Sequence, residues 1–114
     1  MPLWTERTVW SLEYGYAGSA DMVGMDGSKL VVLDWKTGSG VHNEAGLQVA
    51  AYAHAIEELT SQNIDECRVV HLDKSTSAWT EYTVKDWRRS FNGFLSALNT
   101  WKLWHDGVFT SNDS

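Results

Sequence analysis

The spacing of apolar residues predicts strands in the first half of the chain. From Trp10 to Tyr16 every second residue is apolar, and this period of two predicts a strand with one buried face. A second extended segment is predicted from Gly18 to Met25, and the Asp26-Gly27 pair favours a hairpin turn before a third strand from Lys29 to Lys36. We therefore expect an antiparallel meander.

The remaining pattern alternates between helices and strands. Four consecutive apolar residues, Leu30 to Leu33, are typical of a central strand that is covered on both faces. A helical stripe then runs from Glu44 to about Ser61, and strands are predicted at Arg68 to Leu72 and Trp79 to Val84. A second amphipathic helix begins near Trp87. This order predicts an α/β sandwich, with a central mixed sheet and helices packed on its faces.

Composition fits one domain over residues 1–114. Hydrophobic residues make up 43% of the chain, and most of its seven Trp lie on apolar stripes, which predicts that they are buried in the core. The single cysteine, Cys67, excludes an internal disulfide and a thiolate zinc or iron–sulfur site, and it favours a reducing compartment. The longest apolar run is far shorter than a membrane span of ~20 residues. We expect a cytoplasmic protein with no membrane contact.

The formal net charge of −6 argues against a protein that coats nucleic acid with a broad basic surface. Contact with nucleic acid would have to be local, resting on a few cations, backbone N–H groups and bound metal. A metal ion can be the largest charge in its site, so an acidic protein can still bind phosphate there. The negative net charge therefore favours a local site in which a bound cation contacts the nucleic acid.

Asp34 and Lys36 are the first candidates for such a site. They are two residues apart at the end of the third strand, so both side chains leave the same face of the sheet. Asp21 lies on the neighbouring strand across the hairpin, where a suitable register would bring its carboxylate near Asp34. Two convergent carboxylates, with the backbone carbonyl of Trp35 as a further ligand, predict a Mg²⁺ or Mn²⁺ site rather than a zinc site.

Such a site suits phosphodiester cleavage, because a bound metal activates water and stabilises charge on the phosphate. Lys36 could hold the scissile phosphate, stabilise the attacking water or act as a base, and the sequence leaves these three roles open. On the following helix, Gln48 and Tyr52 are four residues apart and share one face. Their amide and phenol groups could bind phosphate or support Lys36.

Three segments in order resemble the motif set of the RecB-type nucleases in the PD-(D/E)XK superfamily. They are Gly18-Ser19-Ala20-Asp21, Leu33-Asp34-Trp35-Lys36-Thr37-Gly38 and Gln48-Val49-Ala50-Ala51-Tyr52. This branch includes Cas4-like proteins, phage exonucleases and the mitochondrial single-strand exonuclease, and the resemblance spans roughly Glu6 to Trp104. It implies that Asp21 and Asp34 bind the metal and that Lys36 is catalytic. It implies that Gln48 and Tyr52 support the site, within a restriction-endonuclease-like three-layer sandwich.

Many proteins of this group have a helical segment before the first strand, and it contributes a His or Glu to the metal site. This sequence begins almost at that strand, so we expect a minimal version that lacks the segment, a fragment, or a protein that a partner completes. Glu6 is the nearest candidate for the missing ligand by position, and His42 in the loop is a weaker one. A homodimer or a partner protein could also complete the site.

We therefore predict a Mg²⁺- or Mn²⁺-dependent deoxyribonuclease, acting as an exonuclease or endonuclease in viral or bacterial DNA replication, recombination or repair. For a viral protein the compartment would be the host cytoplasm. Two alternatives stay open. One is an inactive nuclease-fold module that binds DNA, and the other is a metal-dependent phosphoesterase for another substrate, such as a nucleotide.

Overall fold

The fold is one five-stranded sheet with two helices, in a computed structural model that describes residues 2–38, 40 and 42–112. The strands are β1 (Pro2–Ser11), β2 (Tyr16–Asp26), β3 (Lys29–Thr37), β4 (Glu66–Asp73) and β5 (Ala78–Thr83). The helices are α1 (Asn43–Thr60) and α2 (Trp87–Asp106). The strands are neighbours in the sheet in the same order as in the sequence.

The sheet is mixed, as the sequence predicts. β1, β2 and β3 form the antiparallel meander, and Gly27 takes a left-handed φ of +62° in the turn between β2 and β3, a conformation that glycine adopts without steric cost. α1 then carries the chain across, so that β4 pairs with β3 in parallel, and β5 returns antiparallel to β4. The predicted α/β architecture with a mixed sheet is confirmed.

The first strand differs from its prediction. A strand over Trp10 to Tyr16 is wrong, because β1 ends at Ser11 and residues 12–15 form the turn before β2. A residue of α1 helps to hold this turn. The backbone N–H of Leu12 donates to Glu58 Oε2 at 2.7 Å, and Ser11 Oγ donates to Glu58 Oε1 at 2.9 Å. Local contacts add to this, because the backbone N–H of Gly15 donates to the carbonyl oxygen of Ser11 at 2.9 Å and Gly15 takes a left-handed φ of +72°. Gly15 is the local signal for the turn, which the alternation of apolar residues obscures.

The core lies between the sheet and α1. α1 presents an alanine-rich buried face, which lets its backbone lie close to the strands, and α2 packs against α1. The layers of the described residues therefore follow in the order sheet, α1 and α2, rather than helix, sheet and helix. Neither described helix combines the length and apolar character needed to cross a membrane.

Most tryptophans are exposed, so the prediction that they fill the core is wrong for five of the seven. α2 fully buries only Trp87 and Phe91, both near its start, while Phe94 and Leu95 are partly buried against the core and the stripe beyond them is mostly exposed. On the sheet, the rings of Trp35 and Trp79 pack edge to face at 5.7 Å and remain exposed. The exposed set is Trp10, Trp35, Trp79, Trp101 and Trp104.

Candidate active site

The pairing of β2 with β3 brings the two predicted metal ligands together. Met22 pairs with Leu33, so the next residues along the ladder are Asp21 and Asp34. The Oδ2 atom of Asp21 accepts a hydrogen bond from the backbone N–H of Trp35 at 2.8 Å, which fixes the carboxylate against β3. The short Asp26-Gly27 hairpin sets this register, because a tight turn leaves the strands no freedom to slip.

Asp34 is a buried carboxylate with one unused oxygen. The residue is 4% exposed and lies directly after the core residues of β3, and its Oδ2 atom has no hydrogen-bond partner among the described residues. Lys36 Nζ lies 3.1 Å from that oxygen, close enough for an ion pair but without hydrogen-bond geometry. Burial, followed by the hydrogen bond with Asp21, raises the pKa of Asp34 to about 6, although Lys36 acts in the opposite direction.

Such an oxygen has a free electron pair in a place that water does not reach. The ion pair with Lys36 offsets only part of the cost of burying this charge, and a bound cation would reduce that cost further. Two adjacent carboxylates are hard oxygen donors, the type of ligand that Mg²⁺ and Mn²⁺ prefer. The donor set at Asp21 and Asp34 therefore fits a divalent metal of that class.

Lys36 is positioned by the first of the two predicted residues on α1. Its Nζ donates to Gln48 Oε1 at 2.9 Å, while its side chain stays 34% exposed. Tyr52 lies one turn further along α1, and its pKa is raised by burial and then by the negative charges of Asp34 and Asp21, while a hydrogen bond with Gln48 lowers it. The five predicted residues thus form one connected polar group that links β2, β3 and α1.

A groove of about 970 Å³ opens beside Lys36. It runs between the end of β3, the following loop and the first turns of α1, with Phe94 of α2 on its apolar side. His42 lines this groove immediately before α1, and its side chain makes no capping hydrogen bond to the helix. The groove gives an extended substrate direct access to the Lys36 ammonium.

Glu6, the other candidate ligand, lies opposite Asp21 in the register. It stands between the pairs Thr5–Met22 and Arg7–Ala20 of the β1–β2 ladder. It is exposed and has a φ of +44°, a left-handed conformation that a residue with a Cβ adopts only at a cost. Its assignment as a metal ligand and that of the Trp35 carbonyl stay predictions.

Two residues at the site have no role in the predictions from sequence. Gly18 faces Tyr52, and a Cβ atom added to it would come within 2.5 Å of Tyr52 Cε1, so only glycine lets that ring lie against β2. His71 pairs with Lys36 across β3 and β4, and its Nε2 lies 2.9 Å from the carbonyl oxygen of Gly38. Because a carbonyl only accepts, Nε2 carries the proton and holds the loop after β3. The only signal for His71 is the parallel register, which the sequence does not specify.

Replacing Asp34 with asparagine is expected to stabilise the metal-free protein at pH 7.5 by about 1–2 kcal/mol. A pKa raised from 3.8 to about 6, a shift that already includes the opposing effect of Lys36, corresponds to about 3 kcal/mol against the buried carboxylate, and burying the amide NH₂ of asparagine beside the Lys36 ammonium offsets part of the gain. Folded wild type takes up a proton as the pH falls through 6, whereas the unfolded chain does so near 4. The advantage of the variant should therefore shrink between those values and vanish below them.

Urea unfolding of both proteins in EDTA at pH 7.5 and at pH 4.5 measures this difference. A variant equal to or less stable than wild type at pH 7.5 would show that the Asp34 carboxylate imposes no cost on the fold.

Comparison with known proteins gives one family and one type of fold. A family model described as the PD-(D/E)XK nuclease superfamily matches residues 2–111. The crystal structure of SSO0001 superposes with a TM-score of 0.51 at 16% identity, covering 87% of this chain and 48% of that chain. This chain therefore spans about half the length of that protein, and at such identity the likeness concerns the fold alone. No curated protein matches the chain.

Proposed function

Because the chain belongs to the PD-(D/E)XK nuclease superfamily and has its restriction-endonuclease-like mixed sheet, we propose that it is a metal-dependent nuclease that hydrolyses phosphodiester bonds in DNA. One observation carries the proposal. The buried Asp34 carboxylate keeps an oxygen without a hydrogen-bond partner beside Asp21 and Lys36, at the edge of an open groove. The Lys36 ammonium at 3.1 Å is the only charge partner of that oxygen among the described residues, and no hydrogen bond saturates it, which suits a ligand to a divalent cation.

Asp21 and Asp34 would hold Mg²⁺ or Mn²⁺, with the carbonyl of Trp35 and the carboxylate of Glu6 as further ligands. When bound, such an ion lowers the pKa of a coordinated water and stabilises negative charge on the phosphate. Asp34 must be ionised to bind it, and the pKa of about 6 means that the free carboxyl group loses its proton below neutral pH. The apo site is thus ready to bind a cation at pH 7.

Lys36 supplies a fixed positive charge to the phosphate. Gln48 accepts one of the three ammonium protons through Oε1 at 2.9 Å, which orients the ammonium and leaves other protons for a phosphate oxygen in the groove. The amide NH₂ of Gln48 is then free for the hydroxyl of Tyr52. In this arrangement Gln48 and Tyr52 are positioning residues for Lys36, and Asp21, Asp34 and Lys36 act on the substrate and its metal.

DNA is the proposed substrate, and the acidic protein would contact it locally in the groove. The proposal treats residues 1–114 as one nuclease domain of the RecB- and Cas4-like branch, working in cytoplasmic DNA replication, recombination or repair. A second copy of this chain or a partner protein would then enclose the substrate strand.

The test is cleavage of labelled single- and double-stranded DNA, in linear and circular form, with Mg²⁺, with Mn²⁺ or with EDTA. We expect cutting with either metal and none in EDTA, and cutting of circles would identify an endonuclease. Metal-independent cutting would contradict the proposed metal site. If the folded protein cuts no DNA but binds it, the chain is an inactive DNA-binding module, and hydrolysis of small phosphoesters instead would assign another substrate.

A further inference from the structure

A second cluster of metal-ligating side chains lies on the α2 side of α1. It joins the turn between β1 and β2 to the second half of α1, and it consists of Glu13, His54 and Glu58. We propose that these three residues form a site for a first-row transition metal of the zinc class. The proposal is independent of the nuclease reaction, because it concerns other residues and another kind of metal.

The distances within the cluster are those of ligands that share one ion. His54 Nε2 lies 3.5 Å from Glu13 Oε1 and 3.8 Å from Glu58 Oε1, and one ligand atom from each residue lies within 4.8 Å of the other two. Around a tetrahedral zinc ion with bonds of about 2.0–2.2 Å, neighbouring ligand atoms are about 3.3–3.5 Å apart. The two distances from His54 are therefore within a few tenths of an ångström of those in a zinc site, and the exposed Glu13 carboxylate would adjust its position relative to Glu58.

The imidazole nitrogen has no other use. His54 Nε2 is buried and has no hydrogen-bond partner among the described residues, although it lies close to both carboxylates. The ring cannot easily turn to find one, since it stacks on Phe91 at 4.1 Å with an interplanar angle of 10° and meets the edge of Tyr14 at 5.3 Å. A held ring with a free nitrogen is the form in which histidine binds a metal.

The two carboxylates differ in a way that suits capture of an ion. Glu58 is already fixed, because its oxygens accept from Ser11 Oγ at 2.9 Å and from the backbone N–H of Leu12 at 2.7 Å. Glu13 is 60% exposed and can move to admit the ion. Together they place two negative charges beside one imidazole, and a divalent cation would balance them.

The donor set selects the metal. One imidazole nitrogen and two carboxylate oxygens bind Zn²⁺ far better than Mg²⁺, which prefers oxygen ligands and keeps several waters. His54 also faces away from the Asp21 and Asp34 site. It follows Tyr52 by two positions, which is about 200° around a helix of 3.6 residues per turn. Binding would pin residues 12–15 to α1 and so stabilise the β1–β2 turn.

The experiment measures Zn²⁺ binding by calorimetry in an Asp34→Asn background with excess Mg²⁺, so that the proposed nuclease site does not contribute. Two variants remove ligands: Glu13→Gln changes an exposed side chain, and His54→Phe keeps the stack on Phe91. Glu81→Gln is the matched control, because Glu81 is another exposed glutamate, paired with Arg68 on the sheet. Circular dichroism without metal checks that each protein is folded.

We expect one Zn²⁺ per chain, at least tenfold weaker binding in Glu13→Gln, no binding in His54→Phe, and no change in the control. Zn²⁺ should also raise the thermal midpoint of the parent and not that of His54→Phe. The proposal would be overturned if the folded Asp34→Asn parent binds no Zn²⁺, or if both ligand variants bind Zn²⁺ as tightly as that parent. The cluster would then be a histidine beside two carboxylates, with no metal-binding role.

Discussion

DNA cleavage by the Lys36→Ala variant is expected to be slower than wild type by roughly 10²–10³-fold, the loss typical when one fixed charge or donor is removed from a transition state. Lys36 is the cation within 3.1 Å of Asp34, and its ammonium is held by Gln48 at the rim of the groove. Alanine leaves Asp21 and Asp34 in place, so metal binding should persist. Single-turnover cleavage of labelled DNA at saturating Mg²⁺ measures the chemical step directly.

Lys85→Ala is the matched control, because it removes an exposed lysine at the start of the segment that leads into α2. Its cleavage rate should match that of wild type. A Lys36→Arg variant tests geometry, since the larger planar guanidinium keeps the charge but does not fit the single contact to Gln48 Oε1. If Lys36→Ala cleaves at the wild-type rate, Lys36 is a structural partner of Asp34 and the proposed assignment is wrong.

The parts of this fold that are specified by neighbours in the chain are those that the sequence predicts. The Asp26-Gly27 turn sets the β2–β3 register, and that register alone brings Asp21 to Asp34. The spacing within α1 likewise places Gln48 and Tyr52 on one face. Short-range geometry therefore forms each half of the candidate site, and the packing of α1 against β2 and β3 brings the two halves together.

Features that depend on distant contacts are not predicted. The turn after β1 is held in part by Glu58 of α1, a contact that the local alternation from Trp10 to Tyr16 cannot reveal. The exposure of the tryptophans depends on which surfaces α1 and α2 cover. The unpartnered Oδ2 of Asp34 depends on a hydrogen-bond geometry that only the assembled site determines.

Gly18→Ala is expected to destabilise the protein by about 1–3 kcal/mol, the cost of overpacking a filled position, and to slow cleavage as well. The added methyl group would lie 2.5 Å from Cε1 of Tyr52, well inside van der Waals contact, so the ring must move. Moving the ring also disturbs Gln48, which holds Lys36. Chemical unfolding and single-turnover cleavage measure the two effects on the same sample. Gly46→Ala on α1 is the control, because Gly46 does not line the groove and its Cβ would approach no atom closer than 3.8 Å, an ordinary van der Waals distance.

A double-mutant cycle assigns the cause. In a Tyr52→Ala background the ring is absent, so adding Gly18→Ala should cost less than about 0.5 kcal/mol, and the two substitutions should be strongly non-additive. An undiminished cost in that background would mean that the backbone of β2, rather than the ring, requires glycine. If the cleavage rates of the same four proteins are non-additive as well, Gly18 acts on catalysis only through Tyr52. The glycine of the first motif would then be tied to the tyrosine of the third by direct contact, although 34 positions separate them in the sequence.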